Sequence, residues 1–565
     1  MKGPVAPKDP VEKRPFLYLL LDKVIRGTKA PNGVICEHIF LEGRTVGQVQ
    51  LACGTQIDEK ILRMLTYVKD LRELVHSISV ELVSENKDIR EKEAKVTMIC
   101  YGKTDKYTTG THAEISVPCN GVEMEMVLNQ IPVNEDDTIL GEFFVELPAE
   151  DCNYSITIKL NLNDGFEVPE IIADQPVDIT SENYRKMIQN SFISSGNNMR
   201  LKRVIERAKA GEDVTIGYIG GSITQGAGAK PINTECYAYK SYQAFCKRFG
   251  KEGKNNIHYV KAGIGGTSSE LGVVRYEKDV LDNNRNQADL VIVEYAVNDN
   301  GDETKGVCYE SLCKKILNAP NKPAVLLLFS VFMNDENLQD RLIPIGERYH
   351  LPMVSIKNAL LPQYDENKVI SKRQFFYDIF HPTNIGHTVM ADCIDYLFEV
   401  VDGEEASASD IDLNIEPVYG TQFADVITFD RKTASEHCEI VEEGFDDVDS
   451  MTQAVERNMD TRVTPTFCDN WKTSGKPSAS FSFELEFKNL FIVMKDEGAA
   501  SYGRMDAFVD GKFIRTLNPL EIGWNHDSSM LLFDEPVAKK HKVELKMKEE
   551  DAGKEFTILA FAYSK

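Results

Sequence analysis

Ser222 stands where an apolar run closes on glycines, in VTIGYIGGSITQGAGA. Glycines beside a serine allow a tight turn without a Cβ clash, so the hydroxyl can be presented at the end of a buried strand. That placement suits a nucleophile. A phosphate-cradling loop would need Lys followed by Ser or Thr after its last glycine, and the stretch has neither. The G-x-S-x-G elbow of α/β-hydrolases is also missing. A serine nucleophile needs a base. Of the ten histidines, only His381 has an aspartate three residues before it, in YDIFHPTNIGH. In a turn, that spacing can bring the Asp378 carboxylate to the imidazole Nδ1–H, fixing the tautomer in which Nε2 accepts the serine proton. Acyl transfer further needs donors for an oxyanion. Gly266 in GIGGTSS could present a backbone N–H, and Asn298 in VNDN a side-chain amide. Alone, Gly266 reads as a turn glycine and Asn298 as an Asx-turn or helix cap. His387, one turn beyond His381, reads as a helix-surface or packing histidine.

These residues need a scaffold that brings distant segments to one rim. From about residue 183 the pattern alternates between continuous apolar strands (VTIGYIG, IHYVKAG, DLVIVEYA, AVLLLFS, PMVSI) and helical stretches such as YKSYQAFCKRF, ELGVVRYEKDVL and NIGHTVMADCIDYLFEVV. MRLKRVIERAKAG reads as a further helix, closed by Gly211. Buried strands joined by helices predict a parallel sheet covered on both faces, a three-layer, flavodoxin-like α/β domain. Ligands bind such sheets at the carboxyl ends of the strands, where Ser222, Gly266 and Asn298 each follow one.

Before this domain, VGQVQLAC, AKVTMICYG, HAEISVPC, EFFVELPA and YSITIKLNL predict strands, with helix near DEKILRMLTYVKDLRELV. After it, SFSFELEFKNLFIVMKD, RMDAFVDGKFIRTL, HKVELKMK and EFTILAFAY predict strands again, with a hairpin at Asp510-Gly511. The reading is a β-rich, sandwich-like domain over 1–180, the α/β domain over 181–402, an acidic linker over 403–415 and a β-sandwich over 416–565. A shorter linker is expected from Ile171 to Asp178.

The order of the blocks GGSIT (Ser222), GIGGTS (Gly266), VND (Asn298) and DIFHP (Asp378, His381) resembles the SGNH (GDSL-like) hydrolase superfamily over roughly 183–402. The stretch leading into Ser222 resembles bacterial carbohydrate esterases of that group. Where many relatives have Gly-Asp-Ser, this chain has Gly-Gly-Ser, so Gly221 replaces an acidic neighbour. The resemblance implies a Ser222–His381–Asp378 triad. It implies an oxyanion hole from the N–H groups of Ser222 and Gly266 and the Asn298 amide, and chemistry with no metal or organic cofactor. It points to a carboxylic ester hydrolase removing small acyl groups, O-acetyl foremost, from carbohydrate. An O-acyltransferase on the same triad and a non-catalytic glycan-binding protein are the competing readings.

A net charge of −25 disfavours a nucleic-acid or anionic-membrane partner, which require a basic face. It suits a soluble protein acting on neutral or cationic ligands, and a solvated acidic surface explains it equally well; the partner that the resemblance implies is an acylated oligosaccharide. The twelve cysteines are scattered, with no C-x-x-C pair. Several, such as Cys100 and Cys246, lie in apolar runs and read as small buried hydrophobes. The charged, proline-rich start lacks the apolar stretch of a signal peptide, and FLYLLL is too short to span a bilayer. A cytoplasmic protein is expected, with a homo-oligomer left open. Both tryptophans, Trp471 and Trp524, lie in the last domain. Trp524 and His526, together in a polar turn, are candidate sugar contacts, against the commoner role of Trp524 as a partly buried core or interface residue.

Overall fold

The computed structural model describes residues 16–29, 33–53, 57–168, 174–364, 368–455, 464–476 and 478–565. The charged N-terminal stretch and residues 171–173 of the expected first linker lie outside them. The chain forms two compact units. One comprises Met1–Val177 with Ser371–Thr383, the other Asp178–Ile370 with Asn384–Lys565.

The first unit contains two antiparallel sheets. One runs Leu17–Arg26, Asn153–Leu162, Val75–Ser84, Met124–Val127; the other runs Thr28–Lys29, Ile35–Phe40, Asp137–Glu146, Glu93–Gly102, His112–Pro118. Alternation along the strands sends Ile156, Ile158 and Leu160 from the first sheet, and Val96, Phe143 and Val145 from the second, into one buried cluster. VGQVQLAC departs from the strand expected of it and forms the helix Thr45–Cys53. Its β-branched residues favour a strand locally. Val46, Val49 and Cys53 recur at three- and four-residue spacing instead; Val49 and Cys53 join that cluster and the partly buried Val46 packs against it. The helical stretch after it breaks into Glu59–Met64, opened by the Asp58 side chain, and Val68–Leu74.

The second unit is built on a six-stranded sheet in the order Phe192–Ser194, Met353–Ser355, Ala324–Phe329, Leu290–Glu294, Val214–Gly220, Ile257–Gly263. Five strands are parallel, and all five are the ones expected. The sixth, Phe192–Ser194, is an antiparallel edge strand too short to be read from its pattern. The register sets Gly220 beside both Gly263 and Glu294, so three neighbouring strands end level. The helix Met199–Ala210 ends on Gly211 in the left-handed conformation, as its sequence implies.

Residues 403–415 are strapped down along their length, unlike a free tether. Asn198 bonds Glu404, Glu405 and Ser407; the buried Arg200 pairs with Asp410 at 2.7 Å; and Ile411, Leu413 and Ile415 pack on the core. The C-terminal strands then form one hydrogen-bonded sheet of eight strands and a separate pair, Ala454–Val455 with Thr464–Pro465. The hairpin at Asp510-Gly511 forms with both residues at positive φ. The long strand Ser480–Asp496 explains the continuous run LFIVM. Leu490, Ile492 and Met494 enter a core formed by C-terminal residues alone, while Phe491 and Val493 face a cluster shared with the parallel sheet and its helices. Among the described residues, no helix is long and apolar enough to cross a membrane.

Candidate active site

The nucleophile block is shaped by close backbone approach. Val214–Gly220 is buried almost throughout and ends in a single turn of helix, Ser222–Gln225, closed by Gly226 at φ 103°. Ser222 is half-buried at its start, with Ile223 and Thr224 beneath it. Thr224 exchanges a hydrogen bond with Tyr237 at 2.8 Å and donates to Glu294 at 3.1 Å. The buried Lys261 donates to the Gln225 carbonyl at 2.8 Å, tying the turn to the adjacent strand. Arg275, wholly buried, donates to the carbonyl of Gly220 at 3.0 Å and pairs with Asp279. His387 accepts from the Tyr237 N–H and donates to the Ala227 carbonyl, each at 3.1 Å. It is the packing histidine its position suggested.

The two oxyanion candidates arrive beside Ser222 from the neighbouring strands. A Cβ built on Gly265 would lie 3.8 Å from Ser222 Cβ. Gly266 adopts φ +75°, and a Cβ there would meet the Trp524 ring at 2.7 Å. Both conformation and space therefore demand glycine. Asn298 turns its amide against Gly221, where a Cβ would come within 2.2 Å of Asn298 Oδ1. This is a local reason for glycine where many relatives carry Asp. Asp299, not singled out from the sequence although it stands in the same VND block, is fully buried. It accepts from the N–H and hydroxyl of Ser269 at 2.8 and 2.7 Å. It thereby links the Asn298 loop to the helix that follows Gly266. Burial and the nearby Asp302, against these donors, push its pKa up to about 7.

The C-terminal segment supplies the other side of this wall. His526 is buried rather than displayed for a ligand. Burial lowers its pKa to about 4, so the neutral ring donates from Nε2 to the Gly266 carbonyl at 3.2 Å while Nδ1 accepts from Ser528 at 2.9 Å. Trp524 is half-buried over Gly266. Gln453, which sequence reasoning passed over, donates from Nε2 to the Gly265 carbonyl at 2.8 Å. Trp471 is buried in the C-terminal core.

Asp378 and His381 belong to the other unit, because Ser371–Thr383 is grouped with the N-terminal sheets and not with the strands around it in sequence. Asp378 Oδ2 accepts from His381 Nδ1–H at 2.8 Å. Its Oδ1 accepts the backbone N–H groups of Phe380 and His381, both at 2.8 Å. Burial pushes this carboxyl up, but the His381 ring and the two N–H groups outweigh it and hold the pKa below the ordinary aspartate value. A capping box of Ser371 and Gln374 opens the segment. Lys23 donates to the carbonyls of Arg373 and Phe376, both at 2.8 Å; Arg44 lies 4.4 Å over the Phe380 ring; and Ile379 packs on Gly47. Holding this loop is a role for the N-terminal unit that its sequence did not suggest.

Among the described residues, one group has metal-ligand spacing: Glu270, Asp302 and Cys308, all buried, with candidate ligand atoms within 4.8 Å of one another. Burial and the adjacent acids Asp302, Glu303 and Asp299 push Glu270 up to about 9. All twelve cysteines are free, and of these Cys468 is exposed.

Residues 218–389 match the model of the GDSL-like lipase/acylhydrolase family. The crystal structure of a two-domain esterase (CEX) active on acetylated mannans is similar at 30% identity, with a TM-score of 0.57, over 67% of this chain and 99% of that one. The same kind of esterase co-crystallised with mannopentaose is similar at 29% identity, with a TM-score of 0.57, over 67% of this chain and 98% of that one. No curated protein sequence matches. The chain belongs to the GDSL-like lipase/acylhydrolase family, that of the SGNH hydrolases. It is a carboxylic ester hydrolase with added β-rich regions.

Proposed function

We propose that the protein is a serine esterase that removes O-acetyl groups from oligosaccharides, with Ser222, His381 and Asp378 as its triad. Ser222 Oγ attacks the ester carbonyl as His381 Nε2 takes its proton. The alkoxide leaves with that proton, and water attacks the acyl-enzyme with His381 again as base. Asp378 holds the ring through Nδ1 and stabilises the imidazolium. The N–H groups of Ser222 and Gly266 and the Asn298 amide receive the oxyanion.

The observation that carries this reading is the meeting of three blocks at the level ends of adjacent strands, with Gly265 and Asn298 flanking the Ser222 turn. The 2.8 Å bond from His381 to Asp378 supports the base. The mannan-active relative supports an acetylated sugar. The parallel sheet is read as the middle of three layers, in the flavodoxin manner. The acidic chain and its mostly buried thiols fit an oligosaccharide partner, not nucleic acid or membrane, and a reducing cytoplasm.

Fluorophosphonate labelling with peptide mapping, alongside release of acetate from acetylated manno-oligosaccharides, tests the proposal. The adduct is expected on Ser222, and Ser222→Ala is expected to abolish both signals. A labelled or fully active Ser222→Ala protein overturns the assignment. Transfer of the acetyl group to an added sugar in preference to water would favour the acyltransferase.

A further inference from the structure

We infer that Gln453, on the C-terminal side of the chain, is a positioning residue for the oxyanion hole: it orients and polarises the Gly265–Gly266 peptide. The inference rests on the esterase reading above.

The N–H assigned to the oxyanion is that of Gly266, and it shares one planar peptide with the carbonyl of Gly265. In a trans peptide the two dipoles point in opposite directions, so a donor on the carbonyl side faces away from the substrate side. Gln453 Nε2 supplies that donor at 2.8 Å. Its amide can take only one orientation. Gln453 Oε1 accepts the Asp527 N–H at 2.8 Å, and because a backbone N–H only donates, the NH₂ group must face Gly265. Donation to a peptide carbonyl draws charge along the unit and makes its N–H a stronger donor.

The sequence around this peptide makes such a restraint necessary. Two adjacent glycines carry no Cβ to bias their torsions, and Gly266 sits at φ +75°. A Gly-Gly peptide rotates cheaply between alternative orientations. Half a turn would point the Gly266 N–H out of the site. Gln453 fixes the carbonyl before Gly266, while the neutral His526 fixes the carbonyl after it at 3.2 Å. Trp524 covers the Cα between them. All these partners come from beyond residue 450. The C-terminal region is thus a structural part of the catalytic apparatus and not merely an appended sugar-binding module.

The test compares full-length Gln453→Met and Gln453→Glu with wild type. Met keeps the length and loses both hydrogen bonds. Glu keeps the Asp527 bond but sets an acceptor against the Gly265 carbonyl. With a short-chain aryl acetate, kcat is expected to fall about tenfold, less than for a deleted oxyanion donor, with KM nearly unchanged. Inhibition by a trifluoromethyl ketone, which forms a tetrahedral adduct, should weaken in the same proportion. The melting temperature is expected to fall by a few degrees, because Met leaves the buried Asp527 N–H unpaired; a purely structural residue would show that fall alone, with kcat and inhibitor affinity unchanged. A variant that keeps wild-type kcat and inhibitor affinity overturns the inference, as does a loss confined to KM. If wild type labels at Ser222 and turns over esters while both variants match it, Gln453 alone is misassigned. If wild type neither labels nor turns over esters, the esterase reading fails and this inference falls with it.

Discussion

The residues assigned to catalysis sit in two regions built on different principles. Ser222, Gly266 and Asn298 follow neighbouring parallel strands whose ends lie level, so backbone hydrogen bonding brings them together. Little freedom remains there: glycine at 220, 221, 263 and 266 lets backbone and side chains approach closer than a Cβ would allow. Asp378 and His381 lie in a short loop that follows no strand of the parallel sheet directly, and partners hundreds of residues earlier hold it, Lys23 and Arg44 among them. A sheet specifies position through repetition, whereas a loop depends on a few individual contacts. The first region should therefore respond to added atoms and the second to lost hydrogen bonds.

The largest effect would show whether the two regions act as one machine. Ser222→Ala and His381→Ala should each lower kcat by about 10⁴–10⁶, and the double variant should be no worse than either alone. A double variant markedly slower than both would separate them. Next comes an added methyl in the sheet-built region. Gly221→Ala should push the Asn298 amide aside and cost about 10–10² in kcat with KM little changed, a fraction of a full oxyanion-donor loss. Wild-type turnover there would mean that Asn298 has room to yield. For the loop, Lys23→Met removes both carbonyl contacts and should slow turnover roughly 3–10-fold through a less ordered base. The Ser222 adduct should still form, more slowly.

The smallest effect concerns stability. Burial pushes the Asp527 carboxyl up to about 7. An acid with a raised folded-state pKa binds its proton more tightly when folded, so its ionisation destabilises the fold. That cost is absent below the ordinary aspartate value near 3.8, grows with rising pH and is complete above about 7. Asp527→Asn should thus raise the melting temperature at pH 8 by a few degrees and leave it unchanged at pH 4. The reverse order would contradict the assigned direction. The backbone N–H that holds Gln453 is retained in this variant.

The parallel sheet was legible because its strands are continuous apolar runs, and the hairpin at Asp510-Gly511 because two adjacent residues require positive φ. The helix Thr45–Cys53 was misread because its β-branched residues favour a strand, whereas the core below rewards helical spacing. The edge strand Phe192–Ser194 is too short to carry a pattern. Among the candidate site residues, Ser222 and the Asp378–His381 pair stand in short blocks whose residue types have a chemical reason, whereas Gly266 and Asn298 became candidates only in combination with them. Gln453 did not. A lone glutamine in a polar stretch has no local feature that separates it from any other, and its two partners lie 188 and 74 residues away in sequence.

The sequence alone therefore pointed to ester hydrolysis, since the candidate nucleophile, base and donors are matters of residue type and short spacing. The tertiary structure decided what holds each of them. It assigned the DIFH loop to the N-terminal unit and placed His526 and Gln453 behind the Gly265–Gly266 turn. The reason is physical: a hydrogen bond between residues far apart in sequence depends on where folding brings the two chain segments, and neither segment carries a local record of its partner.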